Sequence, residues 1–163
     1  MWRRIMPAII FPAVLCAALV PGADGSPPEE ALTRFLQALR EGDLDAALEL
    51  YDAEPFEGTG LGGLVEENLE SLVAFIEETT ELERARLSFG TPRVEPPAPE
   101  AEAAYVELGL PEASGWPHLV VELSRAYGRE GATAVVERVY VMVPAADGWR
   151  VGFWFDSYRD LGD

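Results

Sequence analysis

The first half of the sequence after residue 25 carries apolar residues with the period of an α-helix. In its first segment they recur three or four positions apart, at Leu32, Phe35, Leu36 and Leu39. Ser26 followed by Glu29 predicts a capping box at the start of this helix. Gly42 predicts a left-handed residue at its end.

Two more helices are predicted after Gly42. Asp43 is placed to cap a second helix, and Tyr51 lies on the inner face of that helix near its end. A third, longer helix is predicted from Leu64 to Leu82, with glutamates on its solvated face. The glycine-rich segment 54–63 between them follows a helix and lacks a Gly-Lys-Ser/Thr ending, so it is interpreted as a connector and not as a phosphate-binding loop.

Beyond residue 83 the apolar positions alternate with the period of a β-strand. The predicted strands are 85–89, 104–108, 118–127, 133–143 and 149–156. Short turns join the last three, which makes them antiparallel neighbours. The sequence therefore predicts an α+β fold, with three N-terminal helices packed on an antiparallel sheet of about five strands.

One register of the last three strands satisfies both hydrophobicity and charge. Pairing Val121 with Val139, and Val139 with Phe153, places the apolar residues of all three strands on one face, under the helices. The same register places Glu122 opposite Arg138 on the other face, which is a favourable cross-strand pair.

The outer face of this predicted sheet carries aromatic residues and arginines together. The residues concerned are Arg138, Tyr140, Met142, Arg150 and Trp154. Because aromatics and arginine are enriched at protein interfaces, this face is a candidate surface for a homodimer or another protein partner. The alternative is a solvated face on which arginine stems cover the aromatic rings.

Glu137 is the polar exception on the inner face of the predicted sheet, near Leu123 and Phe155. Desolvation among apolar neighbours would raise the pKa of this carboxyl group and suit it to act as an acid or base. Tyr51 could contribute a hydroxyl group to the same cavity, which makes Glu137 and Tyr51 the candidate catalytic residues. The alternative places Glu137 at the rim of the sheet, in contact with water, and Tyr51 in the core.

The first 25 residues have the layout of an export signal. Arg3 and Arg4 form a basic head, residues 5–20 are almost all apolar, and residues 21–25 are mostly small. We therefore expect a signal peptide at 1–25, a single domain at 26–163, and a periplasmic or extracellular location. A lipoprotein anchored at Cys16 and an uncleaved anchor are the alternatives, although an apolar run of roughly 16 residues is short for a membrane span of about 20.

The composition excludes several classes of partner. The chain has 29 acidic residues against 12 basic ones, a formal net charge of −17, and every basic residue is arginine. This negative charge disfavours binding to nucleic acid and to anionic membrane surfaces. We therefore expect no nucleic-acid partner, and we expect the mature domain to contact a membrane only if it carries a lipid at Cys16. With one histidine, one cysteine, and no glycine-centred calcium loop around Asp156, Asp160 and Asp163, neither a metal nor another cofactor is expected.

The order of the predicted elements resembles the nuclear transport factor 2-like superfamily. The resemblance rests on the first helix, the Gly42–Asp43 junction, a second helix ending at Tyr51, a long third helix, and a sheet that ends in the sequence DGWRV at 147–151. It is strongest for small exported or lipoprotein members without an assigned function. It implies a cone-shaped, cystatin-like fold, in which a curved sheet wraps around helices and leaves a pocket. Ketosteroid isomerases of this superfamily use a tyrosine and two pocket acids, for which only Tyr51 and Glu137 are matches here.

Three functional hypotheses follow. The first is an exported, non-catalytic domain that binds a small apolar ligand or a protein partner. The second is a pocket isomerase or lyase, with Glu137 as proton carrier and Tyr51 as hydrogen-bond donor. The third is an assembly or structural factor of the cell envelope. The sequence favours the first because it contains no complete catalytic set.

Overall fold

The computed structural model describes residues 26–127 and 132–157. The predicted signal peptide with Cys16, the turn at 128–131, and Asp160 and Asp163 lie outside these residues. The described part is an α+β structure with five helices and a five-stranded antiparallel sheet. The helices are α1 (Pro28–Glu41), α2 (Leu44–Glu49), α3 (Gly62–Glu78), α4 (Glu81–Arg84) and α5 (Pro99–Glu107). The strands are β1 (Leu87–Phe89), β2 (Arg93–Glu95), β3 (His118–Tyr127), β4 (Ala132–Ala145) and β5 (Gly148–Ser157).

The boundaries of the first two helices follow from their capping residues. Gly42 ends α1 with a φ of 73°, which confirms the predicted left-handed residue. Asp43 caps α2, since its Oδ1 accepts a hydrogen bond of 3.0 Å from the Ala46 N–H. The predicted cap at Ser26 is wrong, because Pro27 occupies the N-cap position of α1.

The long third helix is confirmed, but it ends earlier than predicted. A capping box between Thr80 and Glu83 starts the separate helix α4, so α3 ends at Glu78. Near the middle of α3, the buried Asn68 accepts a hydrogen bond of 2.7 Å from the backbone N–H of Trp154. This bond ties α3 to β5.

The predicted strand at 104–108 is wrong, because these residues lie in or next to α5. Pro99 occupies the first turn of this helix, with Glu100 and Glu102 beside it. Proline and acidic residues both favour a helix N-terminus, and the alanines and glutamates that follow are strong helix formers. The fifth strand of the sheet is instead β2, which lies within the proline-rich segment from Pro92 to Pro99. The helices are therefore not all N-terminal.

The predicted strand register is also wrong, by one residue between β3 and β4 and by two residues between β4 and β5. The strand order is β1-β3-β4-β5, with β2 also pairing with β3. Val121 pairs with Arg138, and Val139 pairs with Val120 and Phe155. Since side chains alternate between faces, the one-residue difference between β3 and β4 places Val121 and Val139 on opposite faces of the sheet.

A β-bulge in β5 also changes which residues of that strand share a face of the sheet. Val141 pairs with Phe153, whereas the next residue, Met142, pairs with Val151. Gly152 is therefore the extra residue of the bulge, and Val151 and Phe153 pack in different cores. A Cβ atom at Gly152 would lie 2.5 Å from Val143 Cγ2 and 2.7 Å from Phe56 Cζ, so only glycine fits there.

Both faces of the sheet are consequently covered. The face beneath α1, here called the α1 face, includes Leu119, Val121, Tyr140, Met142, Val151 and Trp154. The opposite face, here called the α5 face, includes Val141, Val143 and Phe153. These residues pack against Tyr105 of α5 and against Phe56 and Leu110 of the neighbouring segments. Val141 and Phe153 are buried as predicted, but under α5 and the neighbouring loops.

Candidate binding cleft

Two adjoining cavities lie between α1, α3 and the α1 face of the sheet. Their volumes are about 280 and 270 Å³. Both are lined by Leu39, Phe75, Arg138 and Tyr140. We call the two cavities together the sheet cleft. Its walls are mainly aliphatic and aromatic, which is typical of a site for a small organic molecule.

Each half of the sheet cleft has its own apolar wall. The 280 Å³ half is also lined by Phe35, Ser71, Leu72 and Trp154. The 270 Å³ half is also lined by Leu87, Phe89, Leu123, Ser124, Arg125 and Val136. The bond between Asn68 and the Trp154 backbone holds α3 against β5 beside the first half.

Arg138 is the charged residue common to both halves of the cleft. Its Nε and Nη2 donate to the carboxylate of Asp156 over 2.6 and 3.2 Å. Its Cζ lies 6.0 Å from the ring centroid of Trp154. Cross-strand pairing of Arg138 with Asp156 accounts for this ion pair. A two-point contact of this kind fixes the plane of the guanidinium group.

Tyr140 supplies a buried hydroxyl group next to Arg138. Burial raises the pKa of Tyr140 to about 12, and the nearby Arg138 opposes this rise. The phenol therefore stays protonated at neutral pH, where it can donate or accept a hydrogen bond.

The aromatic residues predicted on an outer face are in fact buried. Tyr140 is 1 % exposed, Met142 0 % and Trp154 8 %, all on the α1 face. The outer-face assignment is therefore wrong, and a dimer formed through these side chains would require α1 to leave the sheet. The predicted arginines have partners on their own chain, since Arg138 binds Asp156 and Arg150 binds Asp147 over 2.8 Å.

Tyr51 has a structural role that the sequence did not reveal. Its hydroxyl donates a hydrogen bond of 2.8 Å to the backbone carbonyl of Val65 in α3. Its ring packs against Trp154, with 5.9 Å between the ring centroids, and its backbone bridges Val151 of β5. Burial raises the pKa of Tyr51 above its ordinary value, so the hydroxyl keeps its proton. Tyr51 thus links α3 to β5.

Glu137 lies on the other side of the sheet, in a separate cavity of about 220 Å³ on the α5 face. It shares this cavity with Val139 and Phe155, as predicted, but Leu123 lies on the opposite face. Its side chain is 18 % exposed, and Arg93 Nη2 lies 3.1 Å from its Oε1. Of the four cavities described for residues 26–127 and 132–157, Glu137 lines the one on the α5 face and Tyr51 lines none. The structure therefore does not bring the two candidate catalytic residues together.

His118 lines the same cavity as Glu137. It is buried, with Nδ1 2.8 Å from the carbonyl oxygen of Trp116 and Nε2 2.7 Å from the hydroxyl of Tyr105. A carbonyl oxygen can only accept, so Nδ1 carries the hydrogen and Nε2 accepts from Tyr105. This contact was missed because Tyr105 was assigned to a strand and belongs to α5.

Acidification is expected to destabilise the protein through His118. Burial lowers the pKa of His118 below its ordinary value of 6.5, so from about pH 6.5 downward the unfolded chain binds a proton that the folded chain excludes. The free energy of unfolding that the neutral His118 contributes is fully present above pH 6.5. It falls as the pH is lowered, by at most about 1.4 kcal/mol per pH unit, until the pKa of His118 in the folded protein is reached. Urea unfolding of the wild type and His118→Gln at pH 7.5, 6.5 and 5.5 measures it.

The difference between wild type and His118→Gln isolates the histidine from the other titrating groups. Glu95 and Glu137 line the same cavity in both proteins, so the comparison reports the change at residue 118. The stability advantage of the wild type should shrink as the pH falls. An advantage that stays constant from pH 7.5 to 5.5 would contradict burial of a neutral His118.

The largest concave surface is a different feature, a groove of about 860 Å³ between α1, α4 and the loop after β1. Its lining includes the exposed side chains of Gln37, Arg40, Glu41 and Glu81. Charges of both signs and wide exposure make it a solvated surface groove, so the sheet cleft is the better candidate site.

Comparisons with protein families, with curated proteins and with solved structures find no match for this chain. Over residues 26–127 and 132–157, no helix has the length and apolar character needed to cross a membrane. In the same part of the chain, no three His, Cys, Asp or Glu residues are grouped as they would be to hold a metal ion.

Proposed function

We propose that this chain is an exported, non-catalytic domain whose sheet cleft binds a small, mainly apolar ligand. The observation that carries the proposal is the pair of adjoining cavities with aromatic and aliphatic walls between the helices and the α1 face. Export is supported by the basic head and apolar run within residues 1–25.

The order of elements also supports a cone-shaped fold of the nuclear transport factor 2-like kind. α1, α2 and α3 precede the main strands, and the cavities lie between helices and sheet, where such a fold has its pocket. This likeness concerns the fold and does not by itself imply a reaction.

The geometry gives less support to the other two hypotheses. An isomerase would need its proton carrier and hydrogen-bond donor in one pocket, whereas Glu137 lies on the α5 face and Tyr51 donates to the Val65 carbonyl. An assembly or structural factor without a ligand would have a filled interior, whereas two adjoining cavities lie between the helices and the α1 face.

Filling the cleft with a bulky side chain is expected to block binding. Ser71 is an exposed residue of α3 that lines the 280 Å³ half, so Ser71→Trp can occupy that half without disturbing the core. The probe is N-phenyl-1-naphthylamine, a neutral apolar dye, with binding followed by its fluorescence. We expect the Kd to rise about ten- to a hundredfold, because excluding one ring from the cleft forfeits roughly 1.5–3 kcal/mol of burial.

Glu66→Trp is the matched control for this experiment. Glu66 is an exposed position of α3 that does not line the cleft, so its substitution should leave the Kd within about twofold of the wild type. The proposal would be overturned if the dye does not bind the wild type, or if Ser71→Trp and Glu66→Trp bind it equally well.

A further inference from the structure

The sheet cleft is an exception to the acidic character of the chain. The formal net charge is −17, with acidic residues outnumbering arginines by more than two to one. Among the described residues that line its two halves, however, the ionisable side chains are Arg125, Arg138 and Tyr140, and no carboxylate is among them. A random sample of this surface would be expected to supply acids, so the lining points to a ligand with negative charge.

We infer that the ligand of the sheet cleft is an apolar molecule that carries one anionic group, and that Arg138 binds this group. The inference rests on the proposed function, since it specifies the chemistry of the same ligand. Arg138 has the required position, because it lines both halves of the cleft and has apolar walls on either side.

Arg138 keeps donors for a ligand despite its ion pair. A guanidinium group has five N–H donors, and Asp156 receives one from Nε and one from Nη2. Of the other three, one interacts with the hydroxyl oxygen of Tyr140, and two remain for a ligand. Asp156 and Tyr140 hold the guanidinium group so that these donors are already oriented. The buried hydroxyl of Tyr140 lies beside them and can donate to the same anion.

Arg125 lies too far along the sheet to share a single anionic group with Arg138. Arg125 pairs with Ala134, four residues from Arg138 along β4. At about 3.4 Å per residue, the two arginines are separated by roughly 14 Å along the strands. Arg125 therefore lies at the opposite end of the 270 Å³ half from Arg138.

The probes are two dyes with the same ring system, N-phenyl-1-naphthylamine and its sulfonate, 1-anilinonaphthalene-8-sulfonate. The sulfonate is expected to bind the wild type about tenfold more tightly than the neutral dye. Attraction by the whole protein would not explain this preference, because a net charge of −17 repels anions.

Three sets of variants locate the anion. Replacing both partners, as Arg138→Met with Asp156→Asn, should abolish the preference for the sulfonate while leaving the neutral dye within about twofold. Asp156→Asn alone removes the competing carboxylate and should increase the preference several-fold. Arg150→Met is the control: it removes one positive charge from a residue that does not line the cleft, and it should retain the preference. Arg125→Met removes the other arginine of the cleft lining and should reduce the preference less than the double variant does. Circular dichroism checks that each variant is folded.

The outcomes separate this inference from the proposed function. If neither dye binds the wild type, the proposed function fails and the inference with it. The inference fails if both dyes bind the wild type equally, or if Arg125→Met removes the preference for the sulfonate as completely as the double variant does. In either case the proposed function, binding of an apolar ligand in the sheet cleft, remains supported.

Discussion

Replacing Phe56 with alanine is expected to lower the free energy of unfolding by about 3–5 kcal/mol. Phe56 is fully buried on the α5 face, in the short 3₁₀ helix that follows α2. Its ring contacts those of Phe153 and Trp116 edge to face, with centroids 5.3 and 5.8 Å apart. It also occupies the space that a side chain at Gly152 would fill, so the alanine variant leaves a cavity at the bulge.

Urea denaturation followed by circular dichroism measures this loss, and Val106→Ala is the control. Val106 lies on the exposed side of α5, so its truncation should change the free energy of unfolding by less than about 0.5 kcal/mol. If Phe56→Ala costs no more than Val106→Ala, the α5 face does not form a second core.

The helices were largely predictable because their signals are local. Gly42 and Asp43 act at the positions they occupy, as a left-handed C-cap and as an N-cap, without help from the tertiary structure. α5 was the exception, because Ala104, Val106 and Leu108 alternate with Tyr105 and Glu107 as in a strand. Pro99 and the acidic residues of its first turn were the better signal for a helix.

The strand register could not be derived from alternation because both faces of the sheet are buried. A one-residue slip normally exposes apolar side chains, but here it only exchanges one buried set for another. The run from Val139 to Val143 is apolar at every position, a pattern typical of strands covered on both sides, and it could have signalled the second core. The bulge at Gly152 is a further non-local feature, set by the ring of Phe56.

The cover on both faces also explains which site residues were found and which were misplaced. Arg138, Tyr140 and Trp154 were selected from the sequence for their chemistry, and they share one face of the sheet in the prediction and in the structure. The prediction left this face open to water, whereas α1 and α3 cover it and make these residues walls of the cleft. The residue types were therefore informative, but the sequence did not show that helices cover this face.

Introducing a carboxylate at Trp154 is expected to be the most damaging single change, and it tests this correction directly. Trp154 is 8 % exposed and packs against Phe35, Tyr51 and Tyr140 at centroid distances of 6.1, 5.9 and 6.0 Å. Trp154→Glu removes this packing and places an acid in a largely apolar core, which together should cost more than about 4 kcal/mol. Because domains of this size are stable by only about 5–15 kcal/mol, much of the variant should be unfolded.

Val135→Glu is the matched control, since Val135 lies on β4 but is 52 % exposed, and it should remain as stable as the wild type to within about 0.5 kcal/mol. Chemical denaturation and light scattering, run together on both variants, separate the two locations of Trp154. A residue on an exposed dimer surface would change the molar mass on substitution and leave the stability of the subunit nearly intact. A residue between α1 and the sheet would instead lower the stability of the subunit itself. If Trp154 is buried on the α1 face, Trp154→Glu should lose the folded state and Val135→Glu should not. This result bears on the cleft as well, since the cleft exists only if α1 and α3 remain packed against Trp154.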